Sequence, residues 1–342
     1  HYGIRDLVLQ AKGVPELENL FTLPSGAGAY TNWAFQIFVS MMAILFLPRQ
    51  FQMAVVENID EKHLNKAIWL FPLYLLAINI FVLPIAIAGV HHFPGQPVDP
   101  DTFVLKLPMA ENRTALTLLV FLGGMSAATG MVIVATIALS TMISNYLVMP
   151  VLLRLRFLQL SRQTDLSNTL RIIRWASIVL VILFGYVYFR FSGEFYPLVS
   201  IGLISFVAVA QFAPAILGGI FWKGATRAGA LSGLVAGFCV WSYTLFLPHL
   251  TQGGVLPDSF VTHGPFNIAL LKPYALFGLT GIDQIAHSTF WSMLANIGAY
   301  TGVSLFTRPT RMEHNQAILF VDIFKRSAAD SEALLWPGTA SL

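Results

Sequence analysis

Charged residues are scarce in this sequence, and their scarcity excludes a water-soluble globular domain. Only 11% of the 342 residues are Asp, Glu, Lys or Arg, whereas a soluble domain typically carries about 25%. Hydrophobic residues make up 56% of the chain, and the mean hydropathy is +0.69. So few charges cannot cover a surface in contact with water, so most of the chain must face lipid or other apolar helices.

Cysteine is almost absent, which excludes a disulfide framework. The single cysteine, Cys239, lies in an apolar run, where we expect a small, buried packing residue. The sequence also lacks GxSxG, HExxH and P-loop motifs and any paired carboxylates, so no catalytic residues are expected. His91 and His92 have no third ligand at a useful spacing, so a metal site of the zinc type is not expected either.

Long apolar runs recur along the chain and predict membrane-spanning helices. A hydrocarbon core of about 30 Å is crossed by roughly 20 helical residues, and a lone span must be helical because its backbone groups can pair only with one another. Seven runs qualify: 31–56, 67–90, 114–150, 172–191, 197–221, 229–247 and 284–306. We predict an all-α polytopic membrane protein with an extracytoplasmic segment at 1–30, spans within 31–306 and a juxtamembrane helix in 307–342.

Lysine and arginine set the expected orientation of these spans. The loop 150–174 holds five arginines and is assigned to the cytoplasm, because basic residues favour that side. Alternation of the spans then places 14 of the 20 basic residues in cytoplasmic loops and six outside. We expect a multi-pass protein of the inner (plasma) membrane with a cytoplasmic C-terminus. Basic residues confined to such loops indicate topology and not nucleic-acid binding.

Two predicted spans are irregular. The first contains Pro48, which removes a backbone donor and breaks the helix, followed by Arg49, Gln50 and Gln52. Transporters place substrates beside such breaks, so these four residues are candidates for a substrate pathway. The alternative is that Arg49 marks the cytoplasmic end of a kinked helix. The third span, 114–150, is too long for one straight crossing.

Hydroxyl-bearing residues cluster in the third span. Ser140, Thr141 and Ser144 share a helical stripe with Ile137, so their hydroxyls project in one direction. Oxygen ligands of this kind suit a small hard cation such as Na⁺. The alternative is structural, since Ser and Thr in membrane helices commonly bond to a carbonyl one turn earlier or join helices together. The residues alone leave both interpretations open.

Isolated amide side chains lie inside other spans. Asn79, Gln211 and Asn296 each stand within an apolar run. Because a buried amide without a hydrogen-bond partner is costly, we expect these residues to cap or bridge helices.

Several segments resemble the sodium:solute symporter family, which includes proline, pantothenate and sugar transporters. Three short motifs follow one another in the family's order: Gln211-Phe212-Ala213-Pro214, then Phe221-Trp222-Lys223, then Thr226-Arg227-Ala228-Gly229-Ala230-Leu231-Ser232-Gly233. The resemblance covers roughly 30–326. It implies the inverted-repeat, leucine-transporter-like fold. The seven spans would be the C-terminal seven helices of that fold, and the N-terminal half would lie outside this chain.

The resemblance also implies roles for residues of the third span. The Ser140-Thr141 pair looks like the Ser-Thr pair on the family's ion-binding helix, where two hydroxyls and a carbonyl one turn earlier complete a sodium site. By this match the carbonyl belongs to Ile137, and Na⁺ is the coupling ion, with no other cofactor implied. The remaining ligands would come from the N-terminal half.

A narrower resemblance concerns signalling. The segments 47–58 and 315–324 are similar to parts of the symporter-like input domain of bacterial membrane histidine kinases that monitor carbon and nitrogen supply. The implied function is a sodium-coupled module for a small-molecule solute, with an amino acid preferred, which acts on a downstream response regulator through domains outside this chain. The alternatives are a plain sodium:solute symporter and a receptor that binds its ligand without moving it. Transporters commonly show Gly-Gln-Pro-His where this chain has Phe-Leu-Pro-Arg at 46–49, which leaves the solute open.

Overall fold

The computed structural model describes helices and turns. The described residues are 27–96, 98–154, 167–192, 198–252, 257, 259–265 and 268–321, and they contain no β-strand. Among them, residues 48–198 belong to one compact unit, and residues 27–47 with 199–321 belong to a second. The all-α class is therefore confirmed for this part of the chain.

Six helices of the described part are long and apolar enough to cross a membrane. They are Gly28–Phe46, Lys62–His92, Thr114–Leu152, Ser167–Arg190, Val199–Phe221 and Arg227–Phe246. Each corresponds to one of the first six predicted spans, as a multi-pass membrane protein requires. The seventh, predicted at 284–306, is a helix with these bounds but is not among the six, because most of its buried side chains are polar.

Fourteen α-helices follow one another along the described residues, and π-helical turns extend three of them. In chain order the helices are α1 (Ala27–Phe46), α2 (Pro48–Phe51), α3 (Glu61–His92), α4 (Phe103–Ala110), α5 (Thr114–Met142), α6 (Met149–Arg154), α7 (Ser167–Ser192), α8 (Leu198–Ala210), α9 (Ala213–Phe221), α10 (Arg227–Trp241), α11 (Leu247–Gln252), α12 (Ser259–Thr262), α13 (Gln284–Phe306) and α14 (Arg311–Val321). The π-helical turns are Gln52–Val56, Ile143–Val148 and Ser242–Phe246. Such turns are rare in proteins, and those that occur are often found at functional sites.

Both spans predicted to be irregular are irregular. The first is interrupted at Leu47, between α1 and α2, where the following proline predicts a break. The long third span consists of α5, a π-helical turn and α6. The fifth span holds a break that was not predicted, a turn at Gln211 and Phe212 between α8 and α9. Pro214 lies in the first turn of α9, where its missing N–H costs no helical bond.

In the first unit, α5 packs against α2, α4 and α7. The neighbouring contact between α3 and α4 depends on Gly89, since a Cβ atom there would lie 2.1 Å from the Phe103 ring. Most apolar side chains of α3 and of the first two-thirds of α5 are exposed. In a membrane protein such surfaces face lipid or other membrane helices.

In the second unit, α10 and α13 lie side by side over most of their length. Three buried glycines, one turn apart, form the contact face of α10: Gly229, Gly233 and Gly237. A Cβ atom at Gly229 would lie 1.9 Å from Ser304 Oγ, and one at Gly233 would lie 2.8 Å from Asn296 Oδ1. Only glycine permits this approach, which is the small-residue packing typical of membrane helices.

Two expectations about particular positions are corrected. Cys239 was expected to be buried but is exposed, because it lies outside the glycine face with which α10 contacts α13. The first span was expected to begin at residue 31, but its helix, α1, already begins at Ala27. A helix, α14, lies within the segment 307–342, and its juxtamembrane position stays a prediction; residues 1–26 and 322–342 lie outside the described residues.

Candidate functional site

The hydroxyl cluster predicted to hold sodium lies at the C-terminal end of α5. Ser140 is 2% exposed, and its hydroxyl donates a hydrogen bond to the carbonyl oxygen of Ile137 at 3.1 Å. Thr141 is half-buried. The Ile137 side chain is a hydrocarbon and is exposed, and the oxygen that this residue can contribute is that of its backbone. Two of the three predicted ligand oxygens therefore lie within one hydrogen-bond length of each other.

This hydrogen bond is the local pairing that serine commonly makes in a membrane helix. A hydroxyl that donates its proton keeps two lone pairs, so Ser140 Oγ can still coordinate a hard cation. A helical carbonyl already accepts a backbone bond, and the Ile137 oxygen accepts the serine bond as well. The Ser140 hydroxyl must therefore turn away before the Ile137 oxygen can bind an ion. Sodium binding and local pairing compete for the same carbonyl.

Ser144 lies one turn further along, in the π-helical turn Ile143–Val148. The side chain is fully buried, and its hydroxyl has no hydrogen-bond partner among the described residues. The change from α- to π-helix occurs just before it, where the Ile143 N–H is shared between the carbonyls of Leu139 and Ser140. Leaving a buried hydroxyl unpaired costs about 1–3 kcal/mol. The resemblance assigns no role to Ser144, which lies in the turn that directly follows α5.

The broken first span brings a second unpaired group next to α5. α1 closes with a bond from Leu47 N to Ala43 O at 3.0 Å, and Pro48 begins α2, where a missing N–H is tolerated. Arg49 is half-buried, and its Nε atom has no hydrogen-bond partner among the described residues. Because α2 packs against α5, Arg49 and the hydroxyl cluster lie on neighbouring helices of the first unit.

The two glutamines of the predicted substrate pathway differ in their surroundings. Gln50 is half-buried on α2. Gln52 begins the π-helical turn, and its Nε2 donates a hydrogen bond to Glu57 Oε1 at 3.2 Å. Gln52 therefore forms a local pair at the end of this segment, which leaves Arg49 and Gln50 as the stronger candidates for contact with a substrate.

A second polar cluster fills the interior of the second unit around the break between α8 and α9. Gln211 is fully buried and donates to Ser292 Oγ at 2.9 Å. Asn296 donates through Nδ2 to the Gln211 carbonyl oxygen at 2.8 Å and to Gln211 Oε1 at 3.1 Å. A carbonyl at the break is thus paired by another helix, as an apolar environment requires. Helix bridging by Gln211 and Asn296 is confirmed, whereas Asn79 bonds the Leu75 carbonyl of its own helix.

The sequence signal for this second cluster is a series of polar residues that recur at every fourth position. On α13 this series consists of five buried residues: Ser288, Ser292, Asn296, Tyr300 and Ser304. The series faces the three buried glycines of α10, which have the same four-residue spacing. Residues four apart share one face of a helix, so matched repeats on two helices predict that the two faces pack together.

Comparisons with protein-family models, with curated proteins and with solved structures find no match to this chain. The motifs that resemble symporters nevertheless have clear structural roles. Thr226 caps α10, since its Oγ1 accepts a hydrogen bond from Gly229 N at 3.1 Å. Gly229 and Gly233 allow α13 to approach, and Gln211 holds the break before α9. Helix packing in the second unit is thus sufficient to explain why these residue types stand at these positions.

Proposed function

We propose that this chain is part of a sodium-coupled transporter module for a small-molecule solute, with an amino acid preferred, and that the module is the sensor of a membrane histidine kinase. The observation that carries the proposal is the end of α5. There, Ser140 Oγ and the Ile137 oxygen lie 3.1 Å apart, and the buried Ser144 hydroxyl has no partner among the described residues. A response regulator is the downstream partner, reached through domains outside this chain.

In this proposal Na⁺ binds to the hydroxyls of Ser140 and Thr141 and to the carbonyl oxygen of Ile137. A hard cation in a protein usually takes about six oxygens, so further ligands come from the N-terminal half of the fold. The solute binds beside the break at Pro48, where the Arg49 guanidinium pairs with a solute carboxylate. Bound sodium raises the affinity for the solute in this proposal, and the solute then raises the affinity for sodium by the same factor, because coupling between two sites is reciprocal.

The experiment that tests the sodium site is uptake by the full-length protein in proteoliposomes at varied sodium concentration. Thr141→Val keeps the shape of the side chain but removes an oxygen, and Ser140→Ala removes the other hydroxyl. Since little replaces a lost ligand of a buried cation, we expect each variant to raise the sodium concentration for half-maximal uptake by about tenfold, equivalent to 1.4 kcal/mol.

A matched control is Ser205→Ala. Ser205 makes the same kind of local bond, to the Ile201 carbonyl at 3.0 Å, on an exposed helix face, and its loss should leave the sodium dependence unchanged. Uptake that ignored sodium, or a control that behaved like Ser140→Ala, would show that α5 holds no sodium site.

The contribution of the break is tested with Pro48→Ala combined with Arg49→Ala. Removing a charged hydrogen-bonding partner costs about 1.5–3 kcal/mol, so we expect at least a tenfold rise in the solute concentration for half-maximal uptake. Arg49→Lys should be intermediate, since it keeps the charge but not the planar fork. Arg113→Ala, at the exposed N-terminal end of α5, is the control. Unchanged transport in the double variant would remove these residues from the pathway.

Two further measurements separate the proposal from its alternatives. Counterflow of labelled solute distinguishes a transporter from a receptor that only binds. Autophosphorylation of the full-length protein that responds to sodium and solute together distinguishes a sensor from a plain symporter. The proposal requires both results to be positive.

A further inference from the structure

One carboxylate joins the starts of two helices in the second unit. Glu313, in the first turn of α14, accepts a hydrogen bond through Oε1 from the backbone N–H of Arg227, the first residue of α10, at 3.1 Å. Its other oxygen, Oε2, accepts bonds from the Thr310 backbone N–H at 2.6 Å and from the Thr310 hydroxyl at 3.0 Å. Glu313 N donates in return to Thr310 Oγ1 at 3.3 Å. The Thr310–Glu313 pair is a capping box, and the bond to Arg227 is additional to it.

The position of Glu313 favours its charged form. The first N–H groups of a helix have no partner within the helix, and the helix dipole places partial positive charge there. Glu313 serves two such helix starts at once. The hydrogen bonds from Thr310, followed by the bond from Arg227, hold the pKa of this carboxyl below its ordinary value. Glu313 is therefore a carboxylate at neutral pH, and its charge strengthens all three hydrogen bonds that it accepts from Thr310 and Arg227.

The start of α10 is also fastened to the end of α13. Thr226, which caps α10, lies with its Oγ1 2.8 Å from Thr307 Oγ1, and its N–H donates to Ser304 Oγ at 3.3 Å. α14 packs against α9 as well. Residues 307–310 between α13 and α14 are not helical, so the direction of α14 depends on its packing against α9 and on the bond that the Arg227 N–H donates to Glu313.

We propose that Glu313 is the joint that fixes α14 to the start of α10, so that a movement of α10 moves α14 and the chain that follows it. The inference deepens the proposed function and rests on it for its purpose, since a sensor needs a fixed point where the state of the membrane helices passes to the next segment. The joint itself is a property of four hydrogen bonds within the second unit.

The test is a distance measurement between α10 and α14 in the full-length protein. Spin labels are attached at Ala228→Cys and His314→Cys, two exposed positions, in a Cys239→Ser background, and the distance distribution is obtained from dipolar broadening of the continuous-wave spectrum in frozen solution, the method suited to labels this close together. We expect one narrow distribution, which Glu313→Ala broadens. Glu313→Gln keeps one acceptor oxygen and a residue suited to the capping box, so it can serve only one of the two helix starts at a time, and its distribution should be intermediate between those of the wild type and Glu313→Ala.

Thr310→Ala distinguishes the joint from simple fraying of α14. It removes the hydroxyl of the capping box but leaves the bond from Arg227 to Glu313, so its distribution should stay narrower than that of Glu313→Ala. Equal broadening in the two variants, or no broadening in Glu313→Ala, would overturn the joint. The measurement needs neither sodium nor solute, so its failure is distinct from failure of the proposed function. In the signalling assay, Glu313→Ala should lose the kinase response and keep sodium-dependent uptake; loss of both would also overturn the joint.

Discussion

The buried amides of the second unit and the buried hydroxyls near the end of α5 in the first unit differ in what they pair with. In the second unit, buried amides pair across helices, as Asn296 does with Gln211. In the first unit, the buried hydroxyl of Ser140 at the end of α5 pairs within its own helix, with Ile137, and that of Ser144, in the π-helical turn after α5, has no partner among the described residues. An unpaired polar group is costly in an apolar environment in both units. Pairs across helices fix a packing arrangement, whereas local pairs and unpaired groups leave oxygens that can take a ligand.

The largest effect is expected from a substitution at Gly237, which would disrupt the amide pairs across helices in the second unit. A Cβ atom there would lie 2.3 Å from Gln211 Oε1 and 2.7 Å from Asn296 Nδ2. Gly237→Leu must displace both amides, and the added strain and lost pairing together should cost at least about 3 kcal/mol. We expect little folded protein in detergent, as measured by size-exclusion chromatography.

Gly298→Leu is the matched control for this substitution. Gly298 is a glycine of α13 with no atom within 4 Å of the added Cβ, so this variant should give a normal elution profile. If both leucine variants eluted normally, the glycine face would not determine how α10 and α13 pack.

An intermediate effect is expected from removing the cross-helix amide itself. Asn296→Ala leaves the Gln211 carbonyl buried without this donor, which should cost about 1–3 kcal/mol. Asn79→Ala removes an amide that bonds its own helix and is exposed, so it should change stability by less than about 0.5 kcal/mol. Unfolding in mixed detergent micelles measures both. Equal losses would mean that pairing across helices contributes no more than pairing within one.

The smallest effect on stability is expected at Ser144, where a substitution tests whether an unpaired hydroxyl takes a ligand. Replacing an unpaired buried hydroxyl by Ala should leave the ligand-free protein unchanged or stabilise it by up to about 1 kcal/mol. The same Ser144→Ala change should weaken binding if the hydroxyl takes a ligand. Thermal unfolding with and without sodium and solute measures both quantities. A ligand-free protein that became clearly less stable would show that Ser144 has a packing role after all.

Local properties of the chain were enough to predict the spans and the first break. Apolar runs long enough for a bilayer predict helices, and Pro48 lacks the N–H that a continuous helix needs. The break at Gln211 was not predicted, because Pro214 is tolerated at a helix start and because the turn is held by Asn296, 85 residues away. Cys239 was placed wrongly for a similar reason, since the buried face of α10 is decided by α13.

The candidate site was predictable to a similar extent. Spacing alone placed Ser140, Thr141 and Ser144 on one stripe of a helix. The direction of each hydroxyl could not be predicted, since a serine can bond to the carbonyl behind it or leave its oxygen free with little change in the backbone. The π-helical turn at Ser144 also has no local sequence signal, and it isolates that hydroxyl from the carbonyl one turn earlier.

The pairing of α10 with α13 has a consequence for biosynthesis. α13 buries His287, Ser288 and Asn296 and is not apolar enough to rank among the six spanning helices, so it should enter a bilayer poorly by itself. α10 leaves the ribosome first and presents the glycine face against which these groups are covered. We therefore expect α13 to insert only beside an α10 already in place. In cell-free translation with membranes, 250–321 alone should remain outside the bilayer, whereas 198–321 should integrate. The glycines of α10 would then act as a template for the insertion of α13, well before the protein binds any solute.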